Sequence, residues 1–209
     1  PERDNNNREG RRLKWWLWGE PNPNMRDVLA PLPRFVCTCQ TAKHRIWLWL
    51  STTESPSQAV AGIARADENF LGILHSAVHE IWARAIGTQL REAESGQRYI
   101  PTKCFDTFPL PWPPGKELTT HPTYARIAAA AKDLNDLRER WLNPPELLAP
   151  LARILDAQDD FSDVPPEPRP LLRHSALMAQ AAKSPNLKKR TLTNLYNERP
   201  TWLKLAHEK

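Results

Sequence analysis

Two pairs of metal-ligating residues stand at regular spacing in the sequence. His75 and His79 are four positions apart, so a helix would carry both imidazoles on one face, a spacing that zinc sites use. Cys37 and Cys39 are two positions apart and would share one face of a strand. Neither pair has further ligands at zinc-site spacing. We therefore interpret the histidines as part of a polar helix face and the cysteines as core residues.

One tetrapeptide has residue types that base methylation uses. The run from Asn143 to Glu146, Asn-Pro-Pro-Glu, is similar to the catalytic motif of amino-methyltransferases. In that motif an amide and a proline carbonyl hold the amino group of a flipped base, and an aromatic ring stacks on the base. Glu146 replaces that ring, and a predicted helix precedes the motif instead of a strand. The run is therefore interpreted as a helix stop, and no catalytic residue is assigned.

Cationic side chains are the remaining chemical feature. The triplet Lys43-His44-Arg45 lies at the entrance of a predicted strand, and Arg91, Arg98 and Lys103 lie around a loop and an extended segment. Cationic loops held on a small rigid sheet are a usual way to grip phosphates and reach base edges. Ordinary solvated surface charge is the alternative interpretation of the same residues.

Composition limits the classes of protein to which the chain can belong. The 209 residues include 21 prolines and only 7 glycines, and no glycine-rich phosphate-binding motif occurs. No apolar run reaches the length of a membrane span, and three cysteines are too few for a disulfide scaffold, which suits a reducing cytoplasm. The net charge of +5 permits a nucleic-acid partner. Because the chain starts at proline and closes inside a helical pattern, we expect it to be a piece of a longer polypeptide.

The first half of the chain predicts a small sheet packed on one long helix. Alternation over residues 34–40 predicts a strand, residues 45–50 a central strand covered on both faces, and residues 59–64 a third strand. Asp67 can cap a helix that runs to Gly87, with its apolar residues at helical spacing. Residues 98–105 are predicted to be extended.

The second half is predicted to be helical. Pro122 to Trp141 carries one apolar stripe, and Asn143 and the two prolines after it end that helix. Two shorter helices are predicted at 171–182 and 192–199, with a loop over 156–170 before them. The predicted fold class is therefore α+β, a small mixed or antiparallel sheet packed on a long helix and followed by a C-terminal helical segment.

Several segments together resemble the target recognition domain of MmeI-like DNA methyltransferases, the type IIL restriction-modification enzymes. They are WWLWGEPNPNMR at 15–26, LPRF at 32–35, AKHRIWLW at 42–49, FLGILHSAVHEIW at 70–82 and RYIPTKCFDTFPLPWPP at 98–114. A further segment, RTLTNLYNERPTW at 190–202, is similar to the helical part that follows this domain in the family. The resemblance covers most of residues 11–118 and then 188–209.

The resemblance implies a division of the chain and a role for it. Residues 1–14 would be a linker from an N-terminal part, residues 15–118 the DNA target recognition domain, and residues 119–209 a C-terminal helical spacer or bundle. The chain would read a site in double-stranded DNA for an adenine-N6 methyltransferase of the bacterial cytoplasm, with no membrane partner. S-adenosylmethionine would bind in a methyltransferase domain N-terminal to this chain, which itself would hold no cofactor and no metal.

The resemblance indicates which region would read the DNA sequence. It assigns no individual base contact, because the loops that read DNA differ between members of the family. The candidate DNA-binding residues are Lys43, His44, Arg45, Arg98, Thr102 and Lys103, followed by Arg34 and Arg91. Two alternatives stay open. One is a stand-alone specificity subunit that recruits a separate methyltransferase, and the other is a protein-interaction module that does not bind DNA.

Overall fold

The computed structural model describes residues 23–54, 56–89, 96–158, 165–166 and 169–209. The predicted linker at 1–14 and the tryptophan cluster at 15–18 lie outside these ranges. The described elements form a mixed α+β fold in which a small antiparallel sheet packs against helices. The predicted fold class is therefore confirmed, whereas the domain limits at 15–118 and 119–209 stay predictions.

The main sheet has three antiparallel strands with β1 in the middle. After helix α1 (Pro23–Leu29), strand β1 (Arg34–Cys39) pairs with β3 (Leu48–Ser51) on one side and β4 (Val60–Ile63) on the other. The prediction that residues 45–50 form the central strand was wrong. Residues 45–47 precede β3, and β3 lies at an edge. Its apolar residues are covered because the cores on both faces of the sheet extend past it.

Each face of the sheet has its own core. Phe35 and Cys37 of β1 face α1 and form one cluster with Leu29. Val36 faces the other side and joins a larger cluster, whose members are Trp47, Ala61, Phe70, Leu71, Leu74, Ala83, Tyr99, Cys104 and Ala131. Burial raises the pKa of the Cys37 thiol to about 11, with smaller contributions from Cys39 and Glu54. Cys37 is therefore a core residue, as predicted, whereas Cys39 is exposed.

The predicted helix from Asp67 to Gly87 is two helices, α2 (Glu68–His75) and α3 (Ala77–Ile86). Asp67 caps α2 as predicted, since its carboxylate accepts from the amide of Phe70 at 3.0 Å. Ser76 breaks the run. It has an extended ψ of 149°, its hydroxyl donates to the carbonyl of Ile73 at 2.7 Å, and the same oxygen accepts from the amide of His79.

The break at Ser76 changes which face of α3 is buried. Val78 and Ile81, two of the apolar residues at helical spacing in the predicted helix, are 67% and 68% exposed, whereas His79, expected on the polar face, is fully buried. One extended residue resets the rotation of the helix, so the helical spacing before Ser76 does not continue in phase after it. The prediction that His79 lies on the polar face of the helix was therefore wrong, whereas Glu80 and Arg84 of that face are at the surface.

Residues 98–105 are not extended throughout, contrary to the prediction. A second, minimal sheet consists of β2 (Thr41–Ala42), β5 (Thr88–Gln89) and β6 (Gln97–Arg98), with β6 in the middle. After β6 the chain forms a π-helical turn at Pro101–Phe105. This turn takes the place of the expected strand. It buries Cys104 in the main core and leaves Thr102 and Lys103 exposed on its other side.

The C-terminal half is helical, as predicted. Helix α4 (Pro122–Leu142) ends immediately before Asn143, which confirms the interpretation of the Asn-Pro-Pro run as a helix stop. Helix α5 (Pro145–Gln158) begins at the second proline of that run and was not predicted. The remaining helices are α6 (Arg169–Ala181), α7 (Pro185–Lys188), α8 (Leu192–Glu198) and α9 (Thr201–Glu208).

Helices α2 and α4 cross at Gly72. A Cβ atom at this position would lie 2.6 Å from Cγ2 and 3.0 Å from the carbonyl oxygen of Ile127. Because Ile127 is branched at Cβ and its backbone is helical, neither atom can move away easily. The close approach lets the buried Asn69 side chain donate to the carbonyl of Tyr124 at 3.1 Å.

We expect Gly72→Ala to lower the free energy of unfolding by about 1–3 kcal/mol, because forcing the two helices apart costs more than the helix propensity that alanine adds. Urea unfolding of the full chain measures the change. A gain in stability would mean that the helices are not in contact at this crossing.

Candidate nucleic-acid interface

The minimal sheet brings two of the predicted cations, Lys43 and Arg98, to one cavity. In its register Thr41 lies opposite Arg98 and Ala42 opposite Gln97, so Lys43, the next residue along the chain, leaves the edge strand β2 beside Gly96, two positions before Arg98. Lys43 and Arg98 are both exposed. The structure thus brings together two predicted residues that are 55 positions apart in the sequence.

Gly96 determines how closely the turn at Lys43 approaches the β6 strand. Its φ of +78° is in the left-handed region, and a Cβ atom there would collide with the carbonyl of Ala42 and the amide of Lys43. Only glycine combines this backbone conformation with so close a contact. Gly96 therefore holds the Lys43 turn against the sheet, a role that the charge pattern of the sequence does not reveal.

A cavity of about 220 Å³ opens beside this edge. Among its lining residues are four cationic side chains and one carboxylate, namely Lys43, Arg45, Arg84, Arg98 and Glu80. Glu80 pairs with Arg84 at 2.5 Å, four residues along the exposed face of α3. The cavity thus keeps an excess of positive charge after that pair is counted, which is the electrostatic character that a polyanion requires.

Arg45 lines the floor of the cavity, but its guanidinium is bonded to the protein and is not available to a ligand. Its guanidinium donates to the carbonyl oxygens of Cys39 and Gln97, the latter at 2.7 Å, and lies 5.1 Å from the ring centroid of Tyr99. Burial lowers the pKa of Arg45 from its ordinary value. The nearby side chains of Tyr99, Cys104, Cys39 and Glu80 partly oppose this shift. The side chain joins the two sheets, so its donors are used within the protein.

Lys43 and His44 contact a single oxygen atom. The Lys43 ammonium lies 3.0 Å and His44 Nε2 2.8 Å from Oδ1 of Asn197, in α8. The His44 ring also lies 5.9 Å from that of Tyr196. The turn of the small sheet is therefore tied to the C-terminal helices at this point.

The other predicted residues lie elsewhere. Arg34, at the start of β1, pairs with Glu68 at 2.7 Å and stacks 3.8 Å from the ring centroid of Trp49, so it is held within the fold. Thr102 and Lys103 are exposed on the π-helical turn and line neither described cavity. Arg91 lies outside the described residues.

A second cavity, of about 100 Å³, adjoins the first and reaches the C-terminal helices. Both cavities share three lining residues, Arg45, Glu80 and Arg84. The additional lining comes from His44, Leu74, His75, Tyr196, Arg199 and His207. Sequence reasoning missed Arg84, Asn197 and Arg199 as interface residues. Arg84 lies on α3, and only the packing of α8 near the small sheet brings Asn197 and Arg199 to this place.

Of the two histidines considered as metal ligands, His75 lines the second cavity, whereas His79 is fully buried and lines neither. The neutral His79 ring donates from Nδ1 to the carbonyl of Leu74 at 2.9 Å and accepts from the Tyr99 hydroxyl at 3.2 Å. His75 Nε2 lies 3.0 Å from a guanidinium nitrogen of Arg138, which fixes that imidazole nitrogen as an acceptor. His75 and His79 thus belong to separate networks, and the described residues contain no group of three or more metal-ligating side chains.

Comparison with known proteins adds no family. No family model, curated protein or solved structure matches the chain significantly. Among the described helices, none has the length and apolar character needed to cross a membrane.

Proposed function

We propose that the chain is the DNA-reading portion of a site-specific adenine-N6 methyltransferase of an MmeI-like restriction-modification system. The observation that carries the proposal is the cationic cavity beside the small sheet, which the exposed side chains of Lys43 and Arg98 line. The sequence resemblance adds the methyltransferase context. Catalysis and S-adenosylmethionine binding would be supplied by a domain N-terminal to this chain, in the bacterial cytoplasm.

Arg98 and Arg45 have different roles in the proposal because their side chains differ in the hydrogen bonds they already make. Arg98 is exposed and has no hydrogen-bond or ion-pair partner among the described residues, so its five donors are available to a phosphate or a guanine edge. Arg45 uses its donors on backbone carbonyls and keeps the floor rigid. A rigid floor reduces the entropy that is lost when the exposed cations engage DNA.

Removal of Arg98 is expected to weaken DNA binding. Because one phosphate or base contact contributes about 1–3 kcal/mol, Arg98→Ala should lower the affinity for duplex DNA by about 5- to 150-fold. Fluorescence anisotropy with the full chain and a labelled duplex, at about 50 and 200 mM salt, measures both the affinity and its salt dependence.

Arg126→Ala provides a matched control, because Arg126 is exposed on α4, lines neither described cavity and changes the net charge equally. Its affinity should equal that of the unsubstituted chain. An equal loss of affinity in both variants would show that the effect comes only from the change in net charge. Binding that does not change with salt concentration would contradict the proposal.

A second candidate function rests on the exposed apolar residues of α3. Val78 and Ile81 are three positions apart and more than 60% exposed, so they form a short apolar stripe on the helix surface. A protein-interaction module would use such a stripe and would bind its partner with little salt dependence. The salt series above therefore distinguishes this function from DNA binding.

A further inference from the structure

Two donors converge on one acceptor where the small sheet meets α8. The Lys43 ammonium and His44 Nε2 both lie within 3.0 Å of the Asn197 side-chain oxygen. Adjacent residues thus present two donors to a single point in space. The geometry is that of a fork for one oxygen atom, and a neutral amide oxygen occupies the fork in the absence of ligand.

An amide is a weak partner for this pair. The Lys43 ammonium already makes a charge-assisted hydrogen bond to this amide, but an anionic oxygen adds the attraction between opposite charges, so it would bind the fork better than the Asn197 amide does. Lys43 and Asn197 are both exposed, which gives an incoming anion access to the fork. The fork also lies between the two cavities, because Lys43 lines the first and His44 the second.

Arg199 adds a cation to the second cavity, which His44 of the fork also lines. Arg199 ends α8 with a φ of +45° and a ψ of 62°, a left-handed conformation that is unusual for a residue with a side chain. Its backbone amide still donates to the carbonyl of Leu195 at 2.8 Å. The exposed guanidinium lines the second cavity and has no hydrogen-bond or ion-pair partner among the described residues. Backbone strain of this kind is concentrated at binding sites.

We propose that Lys43 and His44 form a binding site for one backbone phosphate of DNA, and that Asn197 occupies this site until DNA displaces it. The inference rests on the proposed function and deepens it, since it assigns a phosphate to a named pair of donors. It also makes α8 a competitor of DNA, so the C-terminal helices regulate binding by the small sheet.

Two substitutions of Asn197 should act in opposite directions. Asn197→Ala removes the competing oxygen and should raise the affinity for duplex DNA by about 2- to 10-fold, the equivalent of one hydrogen bond. Asn197→Asp places a carboxylate in the fork and should lower the affinity by about 10-fold or more. A general effect on the fold would shift both variants in the same direction.

Asn186 supplies the matched controls. It is exposed on α7, lines neither described cavity, and its alanine and aspartate variants change size and charge as those of Asn197 do. Affinities for a labelled duplex are measured with the full chain at one salt concentration. Opposite shifts for the Asn197 pair, with no shift for the Asn186 pair, support the site. If the unsubstituted chain binds DNA but the two pairs behave alike, the site is wrong and the proposed function stands.

A titration with inorganic pyrophosphate tests the site without DNA. The nuclear magnetic resonance signals of the His44 ring and the Asn197 side-chain amide should shift with saturation in the unsubstituted chain. In Asn197→Asp, which lacks that amide, the His44 ring signals should not shift. If the chain does not bind DNA, the proposed function fails, and this titration alone decides whether the fork binds an oxyanion. Unshifted signals overturn the site.

Discussion

Replacing Arg138 by alanine is expected to lower the free energy of unfolding by about 2–5 kcal/mol. Arg138 lies in α4, is only 1% exposed, and links three parts of the chain. Its guanidinium donates to the carbonyl of Trp47 at 3.1 Å, to His75 Nε2 at 3.0 Å and to the Tyr196 hydroxyl at 3.4 Å. Alanine would leave those acceptors unpaired and would open a cavity between α4, α8 and the sheet.

Two further variants separate the causes of the loss. Arg138→Met fills most of the volume, and the imidazole of His75 can then take the other tautomer and donate to the carbonyl of Trp47, 2.8 Å away. We expect methionine to cost less than alanine for that reason. Arg140→Ala removes the same charge from an exposed position of α4 and should change stability by no more than about 0.5 kcal/mol.

Urea unfolding of the three variants measures these differences. A loss for Arg138→Ala as small as that for Arg140→Ala would show that the Arg138 network does not hold the C-terminal helices on the sheet. An equal loss for alanine and methionine would assign the effect to the hydrogen bonds and not to the cavity.

Acid is expected to destabilise the folded chain well before its carboxylates titrate. Burial lowers the pKa of His79 to about 4 from an ordinary value of 6.5. Burial and the cations of Arg138 and Arg199 lower the pKa of His207 to about 4. Burial, with Arg138, also lowers the pKa of His75 well below 6.5. All three imidazoles are therefore neutral in the folded chain at neutral pH.

The direction of the effect follows from proton binding. Above pH 6.5 the three imidazoles are neutral in both states, and the full stability is present. Below that pH the unfolded chain binds protons that the folded chain excludes, so stability falls as the pH is lowered toward about 4. Each histidine contributes at most about 1.4 kcal/mol per pH unit in that interval.

Urea unfolding at pH 7.5 and pH 5 should therefore differ by roughly 3–6 kcal/mol. His79→Gln should be less stable at pH 7.5 but should show a shallower dependence on pH, because one of the three groups is gone. His174→Gln, a substitution at an exposed position of α6, serves as the control. Equal slopes for His79→Gln and the unsubstituted chain would contradict the neutral, buried state of this imidazole.

The candidate interface was predictable only in part. The sequence pointed to Lys43, His44 and Arg98, and the register of the small sheet brings Lys43 and Arg98 together. Their assignment to DNA stays a prediction. Asn197 and Arg199 could not be found from the sequence, because they reach His44 and its cavity through the packing of a helix more than 150 residues away along the chain.

Local patterns determined much of the fold. The helix α4, its stop at Asn143, the cap at Asp67 and the presence of strand β1 each depend on neighbours within a few residues, and each prediction was confirmed. The sequence by itself therefore determined the fold class and the limits of the long helix.

Tertiary structure alone decided the break at Ser76, the burial of His79 and the place of Arg138. The apolar spacing runs through Ser76 without interruption, so only packing on the sheet shows that the rotation of α3 changes there. Arg138 gave no local signal of burial, since its acceptors are as far as 91 positions away. A burial or pairing that depends on partners so distant in sequence is determined by the whole fold, because no short stretch contains the groups whose energies decide it.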